Sequence, residues 1–215
     1  MARKALTRSA ADFLPPNPSL SRLREAAAGC TGCELYRHAT QTVFGEGPER
    51  ATIVFVGEQP GDQEDRTGHP FVGPAGRLLE QAMTKAGIPR ETVYITNAVK
   101  HFKWEPQGKR RKHKRPSAAE IAACRPWLEM ELKVIQPKIV VCLGATAAQS
   151  VFGRIVKLGE LRGRLHRAVI PGAPAVLVTV HPASILRHPE PELREEEYHR
   201  FVADLRLIRS THKAA

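Results

Sequence analysis

Ile53 to Val56 and Ile139 to Leu143 are short runs that are apolar at every position. They are too short for helices, and unbroken apolarity predicts strands buried on both faces of a parallel sheet. Val93 to Val99 predicts another strand, and the β-like runs Leu165 to Ile170 and Ala175 to Val180 flank the turn Pro171-Gly172-Ala173-Pro174. A further strand-like segment holds Val43 and Phe44, with Gly45 to Pro48 as a loop after it. Leu78, Leu79, Ala82 and Met83 instead recur at helical spacing within Arg77 to Ala86, and Gly87 closes that helix. Ser117 and Glu120 form a capping box for a helix running to about Val134. Other helices are predicted over Ser21 to Ala28, from Gly144 to Gly153, and from Pro191 to about Ile208. Strands alternating with helices predict an α/β fold, a three-layer α/β/α arrangement around a mostly parallel sheet of four to five strands.

Several predicted strands end abruptly in polar or glycine-rich loops. These are Gly57-Glu58-Gln59-Pro60-Gly61, Thr96-Asn97, Gly144-Ala145-Thr146 and Thr179-Val180-His181-Pro182. If the strands are parallel, all of these loops share one sheet edge, and open α/β sheets bind ligands beyond the carboxyl ends of their strands. Glycine and proline in the first loop turn the chain sharply and let a ligand approach the backbone.

The 215 residues suffice for one substantial core, and no apolar run approaches membrane-spanning length. Met1 to Ser19 carries basic residues without an apolar core segment, so a secretory signal is not expected. Pro15, Pro16 and Pro18 predict a flexible lead-in over 1–18 ahead of a single domain over 19–209, in a cytoplasmic protein. Charge changes this picture more than length does. Thirty-three Lys and Arg against 22 Asp and Glu give a net charge of +11, which favours a polyanionic partner.

That charge is concentrated. Lys100 to Arg115 holds eight Lys or Arg in sixteen residues, with Phe102, Trp104, His101 and His113 among them. Cations for phosphates and aromatics for stacking are the ingredients of a single-stranded nucleic-acid surface. The alternative is a solvated charge run. Lys100, Lys109, Arg110, Arg111 and Lys114 are the candidate DNA contacts, with Arg187 a further cation after the last loop. His113, set among cations, is expected to have a depressed pKa and hence a neutral, nucleophilic imidazole.

Cys30 and Cys33 form a Cys-x-x-Cys pair, with Cys124 and Cys142 further on. In a cytosolic chain this argues for metal or redox chemistry rather than a disulfide. Four thiolates suit zinc or an iron–sulfur cluster equally, while Cys142 on its own, inside an apolar strand, reads as a small buried hydrophobe.

Cys30-Thr-Gly-Cys33, Gly57-Glu-Gln-Pro-Gly-Asp62, Pro70-Phe-Val-Gly-Pro-Ala-Gly-Arg-Leu-Leu79, Thr96-Asn-Ala-Val-Lys100 and His181-Pro182 occur here in one order. Together they resemble the iron–sulfur uracil-DNA glycosylases of family 4. The basic insert, and Gln59 where that family usually has a small residue, are similar to its UdgX branch. The resemblance runs from about Gly29 to Leu207. It implies a [4Fe–4S] cluster held by Cys30, Cys33, Cys124 and Cys142, and action on uracil-containing, preferentially single-stranded DNA; a nucleoid-associated protein is expected, and nothing in the sequence demands more than a monomer. Phe71 then stacks on a flipped uracil, Asn97 reads its edge, and His181 donates to uracil O2 as charge develops. Gly57, Gln59, Gly61 and Asp62 complete the substrate site, where uracil is retained as the bound product.

The resemblance further implies that His113 attacks deoxyribose C1′ and stays bonded to the DNA, with Glu58 orienting or deprotonating its imidazole. Lys112 and Ala183 depart from the branch, which has an apolar residue and a serine there. Two alternatives stand beside this reading. One is a glycosylase that turns over, using Glu58 or Asp62 to position water. The other is a non-catalytic single-stranded-DNA-binding iron–sulfur protein.

Overall fold

The structure is a computed structural model that describes residues 8–208. Residues 1–7 of the expected lead-in and position 209 of the expected domain lie outside the described residues. In chain order the first elements are helix α1 (Leu20–Ala28), strand β1 (Ile53–Gly57), and helices α2 (Asp62–Thr67) and α3 (Pro74–Ala86). Strands β2 (Val93–Asn97), β3 (Trp104–Gln107) and β4 (Arg110–His113) follow, then helix α4 (Ala118–Ile135), strand β5 (Ile139–Leu143) and helices α5 (Ala145–Phe152) and α6 (Leu158–Leu161). The chain continues through β6 (Leu165–Ile170), β7 (Ala173–Thr179), α7 (Pro182–Leu186) and α8 (Pro191–Arg206).

The main sheet has five strands in the order β2-β1-β5-β7-β6. β2, β1, β5 and β7 run parallel, and only β6 is antiparallel, folding back on β7. Alternation along the strands divides their side chains between two cores. Val54, Val56, Tyr94, Val140 and Val178 pack towards α1, α4 and α5, while Ile53, Phe55, Ile95, Val141 and Leu177 pack towards α3, α7 and α8. The unbroken apolarity of β1 and β5 follows from this arrangement, since both faces are buried. The chain thus has the three-layer α/β/α architecture expected from its sequence. No helix among the described residues is long and apolar enough to cross a membrane.

Two local expectations are corrected, and the basic segment takes a defined form. Val43 and Phe44 lie in no strand; the segment is tied to β2 and its continuation by one bridge, Glu46 to Ile95, and by the Val43 N–H, which donates to the Lys100 carbonyl. The lead-in is fastened from Ser9 onward: a capped turn over Ala10–Phe13 packs on α4, burying Ala10. The basic segment is an ordered antiparallel hairpin, β3–β4, pairing Trp104 with His113 and Glu105 with Lys112, and it turns at Gly108.

Candidate active site

The carboxyl ends of β1, β2, β5 and β7 and the base of the hairpin converge on one cleft of about 860 Å³. Its walls include Glu58, Gln59, Gly61, Asp62, Phe71 and Asn97, faced by His113, Arg115, Thr146, His181 and Arg187. Groups more than a hundred residues apart are thus brought together, as the shared sheet edge predicts. The volume suits a small organic ligand.

Glycine shapes the floor. A methyl group on Gly57 would stand 2.3 Å from Asn97 Oδ1 and 2.6 Å from Phe71 Cζ, so only glycine leaves the amide and the ring side by side. Phe71 itself sits at φ 58°, a left-handed conformation uncommon for a bulky residue, with Gly76 packed against its carbonyl. Its ring stacks towards His181 at 6.0 Å between centroids. Asn97 is buried, and its side-chain amide has no hydrogen-bond partner among the described residues.

His181 caps α7, and its Nδ1 accepts the Ala183 N–H at 3.1 Å. That bond places the proton of the neutral ring on Nε2, which is left to donate into the cleft. Burial, with the like charges of Arg187 and His113 adding to it, holds the His181 pKa down to about 4. Only the Ala183 backbone N–H is needed for this cap, so a serine at that position is not required.

His113 ends β4 and is more open, at 48% side-chain exposure. Its Nε2 lies 3.3 Å from Glu58 Oε1. Its pKa is lowered, as expected, but not by the neighbouring loop cations: burial is the chief cause, Arg187 adds to it, and Glu58 opposes it. Glu58 is itself oriented from the far wall. The Thr146 hydroxyl donates to Glu58 Oε2, while Arg115 donates to Thr146 Oγ1 at 3.2 Å. Thr146 and Arg115 were not singled out from the sequence. Thr146 lies in the first turn of α5, just past a recognisable strand end, but nothing local indicates a partner 88 positions away.

Gln59 is part of the cleft wall and is bonded to the hairpin. Its carboxamide accepts the Lys103 N–H and donates to the carbonyls of Lys103 and Lys114, all at 3.1 Å. It therefore clamps both legs of the hairpin that carries His113. Asp62 is bound by guanidinium groups, Arg66 on one oxygen and Arg111 on the other, which makes it a poor base for water.

Two expected DNA contacts need correction. Lys100 is wholly buried against Glu131, because β2 and its continuation run under α4. Arg111 is mostly buried, paired with Asp62 and Asp65, and its guanidinium lies against the rings of Phe102 and Trp104. It pins the hairpin to α2, and its charge is spent there. Lys109, Arg110, Lys112, Lys114 and Arg187 are exposed. Lys112, which departs from the expected apolar residue, is exposed on β4.

The cysteines divide. Cys30 and Cys33 both act electrostatically on the Cys124 thiol, whose pKa burial pushes up to about 12. Trp127 Nε1 donates to Cys30 Sγ at 3.4 Å, and the Lys100 N–H donates to Cys124 Sγ at 3.3 Å. Cys142 stands apart inside β5, paired in register with Val56 and Val178, and burial alone raises its thiol. Among the described residues no set of three or more His, Cys, Asp or Glu side chains is gathered for a metal ion. Within the expected four-cysteine set, Cys142 is the member set apart, in a strand interior where burial alone acts on its thiol.

Comparison with known proteins agrees with this geometry. The family model for the uracil DNA glycosylase superfamily matches residues 44–206. The chain is 42% identical to the type-4 uracil-DNA glycosylase of Thermotoga maritima, over 79% of this chain and 84% of that protein. It is 37% identical to the type-4 enzyme of Archaeoglobus fulgidus, over 83% and 87% of the two chains. The type-4 enzyme of Pyrobaculum aerophilum is 35% identical, over 79% and 86%. The chain therefore belongs to the uracil-DNA glycosylase superfamily.

Proposed function

We propose that this protein excises uracil from DNA, preferentially single-stranded, and becomes covalently linked through His113 to C1′ of the product. The observation that carries this reading is the His113–Glu58 pair at 3.3 Å, in the same cleft as Asn97, Phe71 and His181. An extruded uracil lies on Phe71 and exchanges hydrogen bonds with the unpartnered Asn97 amide. As the C1′–N1 bond breaks, its electron pair leaves with uracil, and the His181 Nε2–H donates to the developing oxyanion. A ring nitrogen of His113 forms the new bond to C1′. The proton displaced from the resulting imidazolium passes to Glu58, so charge and atoms balance.

A denaturing gel tests this reading. The protein mixed with a uracil-containing oligonucleotide is expected to yield a band of added mass that His113→Ala removes. Abasic product in molar excess over protein, without adduct, would instead favour turnover with Glu58 positioning water. Release of no uracil would leave a DNA-binding protein.

An iron–sulfur cluster forms part of the proposal only in altered form. Cys30, Cys33 and Cys124 are the thiolates that would hold it, with a fourth ligand other than Cys142. Visible absorbance of the purified protein is expected to survive Cys142→Ala and to be lost in Cys124→Ala. Equal loss in both variants would restore the four-cysteine set.

A further inference from the structure

The basic segment opens on a charge that never reaches solvent. Lys100 Nζ lies 2.5 Å from Glu131 Oε2, with side-chain exposures of 1% and 0%. It also donates to Thr96 Oγ1 at 2.6 Å and to the Asn97 carbonyl at 2.9 Å, which uses all three ammonium protons. Glu131 in turn accepts the Tyr94 hydroxyl and the Thr96 hydroxyl, each at 2.9 Å to Oε1. The face of Phe44 covers the ammonium at 5.3 Å.

A buried ion pair of this kind is a weak device for stability, because both charges lose their hydration. What distinguishes this one is where its remaining bonds go. Tyr94, Thr96 and Asn97 all belong to β2, and the last bond falls on the main chain of the residue that faces the cleft. Alternation along the strand sends Thr96 towards α4 and Asn97 to the other side, so the pair grips the strand end from behind. The Asn97 side chain has no partner of its own among the described residues, and its placement therefore depends on its backbone.

We propose that Lys100 and Glu131 are positioning residues for base recognition: they hold the end of β2 so that the Asn97 amide meets the edge of the extruded pyrimidine in register. This rests on the reading of the cleft as a uracil site. The geometry assigns Lys100 to the base rather than to the phosphates, although it neither touches the base nor lines the cleft.

A double-mutant cycle on the full chain, purified with its cysteine site intact, tests the proposal. Uracil release from a single-stranded uracil oligonucleotide is measured under single-turnover conditions, which serve for capture and turnover alike. Lys100→Met is expected to lower the rate at subsaturating protein on the order of tenfold, but to cost less than about twofold once Asn97→Ala is present. Equal losses in both backgrounds would overturn the proposal, since a general structural defect does not depend on Asn97. Glu131→Gln, which keeps the shape of the side chain, gives the same cycle should Lys100→Met fail to fold. The paired change Lys100→Met/Glu131→Leu is expected to melt close to wild type while staying slow; recovery of the rate with the stability would count against positioning. Wild type that releases no uracil overturns the functional reading and this inference together. Wild-type release with an additive cycle overturns this inference alone.

Discussion

The two histidine-bearing walls of the cleft are built differently. On the β7–α7 side, His181 is enclosed, caps a helix, and has its tautomer fixed by a backbone N–H. On the hairpin side, His113 is half-exposed, held by the Glu58 carboxylate and against the Phe102 ring, at the end of a two-stranded ribbon anchored through Gln59 and Arg111. The contrast matches the demands of the proposed chemistry. A group that stabilises a leaving anion has to be in place before charge develops, whereas a nucleophile has to approach the sugar after the base has entered. One wall is preorganised and the other is tethered.

The largest expected effects separate the two walls. His113→Ala should abolish the adduct altogether while leaving uracil binding in place. His181→Ala should slow uracil release by roughly 10²- to 10³-fold, as loss of an oxyanion donor does, yet still permit an adduct at long times. Gel bands and released uracil, followed on the same samples, check both; a normal adduct yield from His113→Ala would erase the distinction. Gln59→Ala leaves both imidazoles intact but frees the hairpin legs. Capture should slow by roughly 10- to 100-fold with little change in the melting temperature. A loss confined to DNA affinity would mean that Gln59 serves the substrate instead.

Acidification acts on both walls. The folded pKa values of His181 and the buried His101 are about 4, below the ordinary 6.5. Between those values the unfolded chain binds more protons, so stability is present above about pH 6.5 and is lost as pH falls towards 4. The His113 pKa is also lowered, so the midpoint of adduct formation should fall below pH 6.5 within the range where the fold persists. A midpoint at or above 6.5 would show that Glu58 outweighs burial. The smallest effect concerns phosphates. Neutralising Lys109 or Arg110 should reduce the slope of log affinity against log salt by roughly 0.7 each on single strands, and Lys100→Met should leave that slope unchanged.

Much of this molecule is written locally. Ile53–Val56 and Ile139–Leu143 announce doubly buried strands because each residue meets a core on its own face, and the polar loops after them locate the cleft. The capping box at Ser117 and Gly87 past the end of α3 are equally local, and they mark helix ends to within a residue or two.

What the chain could not announce is which polar groups meet. Lys100 reads as one more cation in a basic run until α4 places Glu131 against it, and Arg111 until α2 supplies Asp62 and Asp65. Cys142 is a ligand by resemblance alone, and the register of β5 sets it between Val56 and Val178. Side-chain periodicity reports the side on which a residue is buried, and that depends only on neighbours in sequence. The fate of a charge or a thiol depends on what stands within a few ångströms, and only the packing of distant segments decides that.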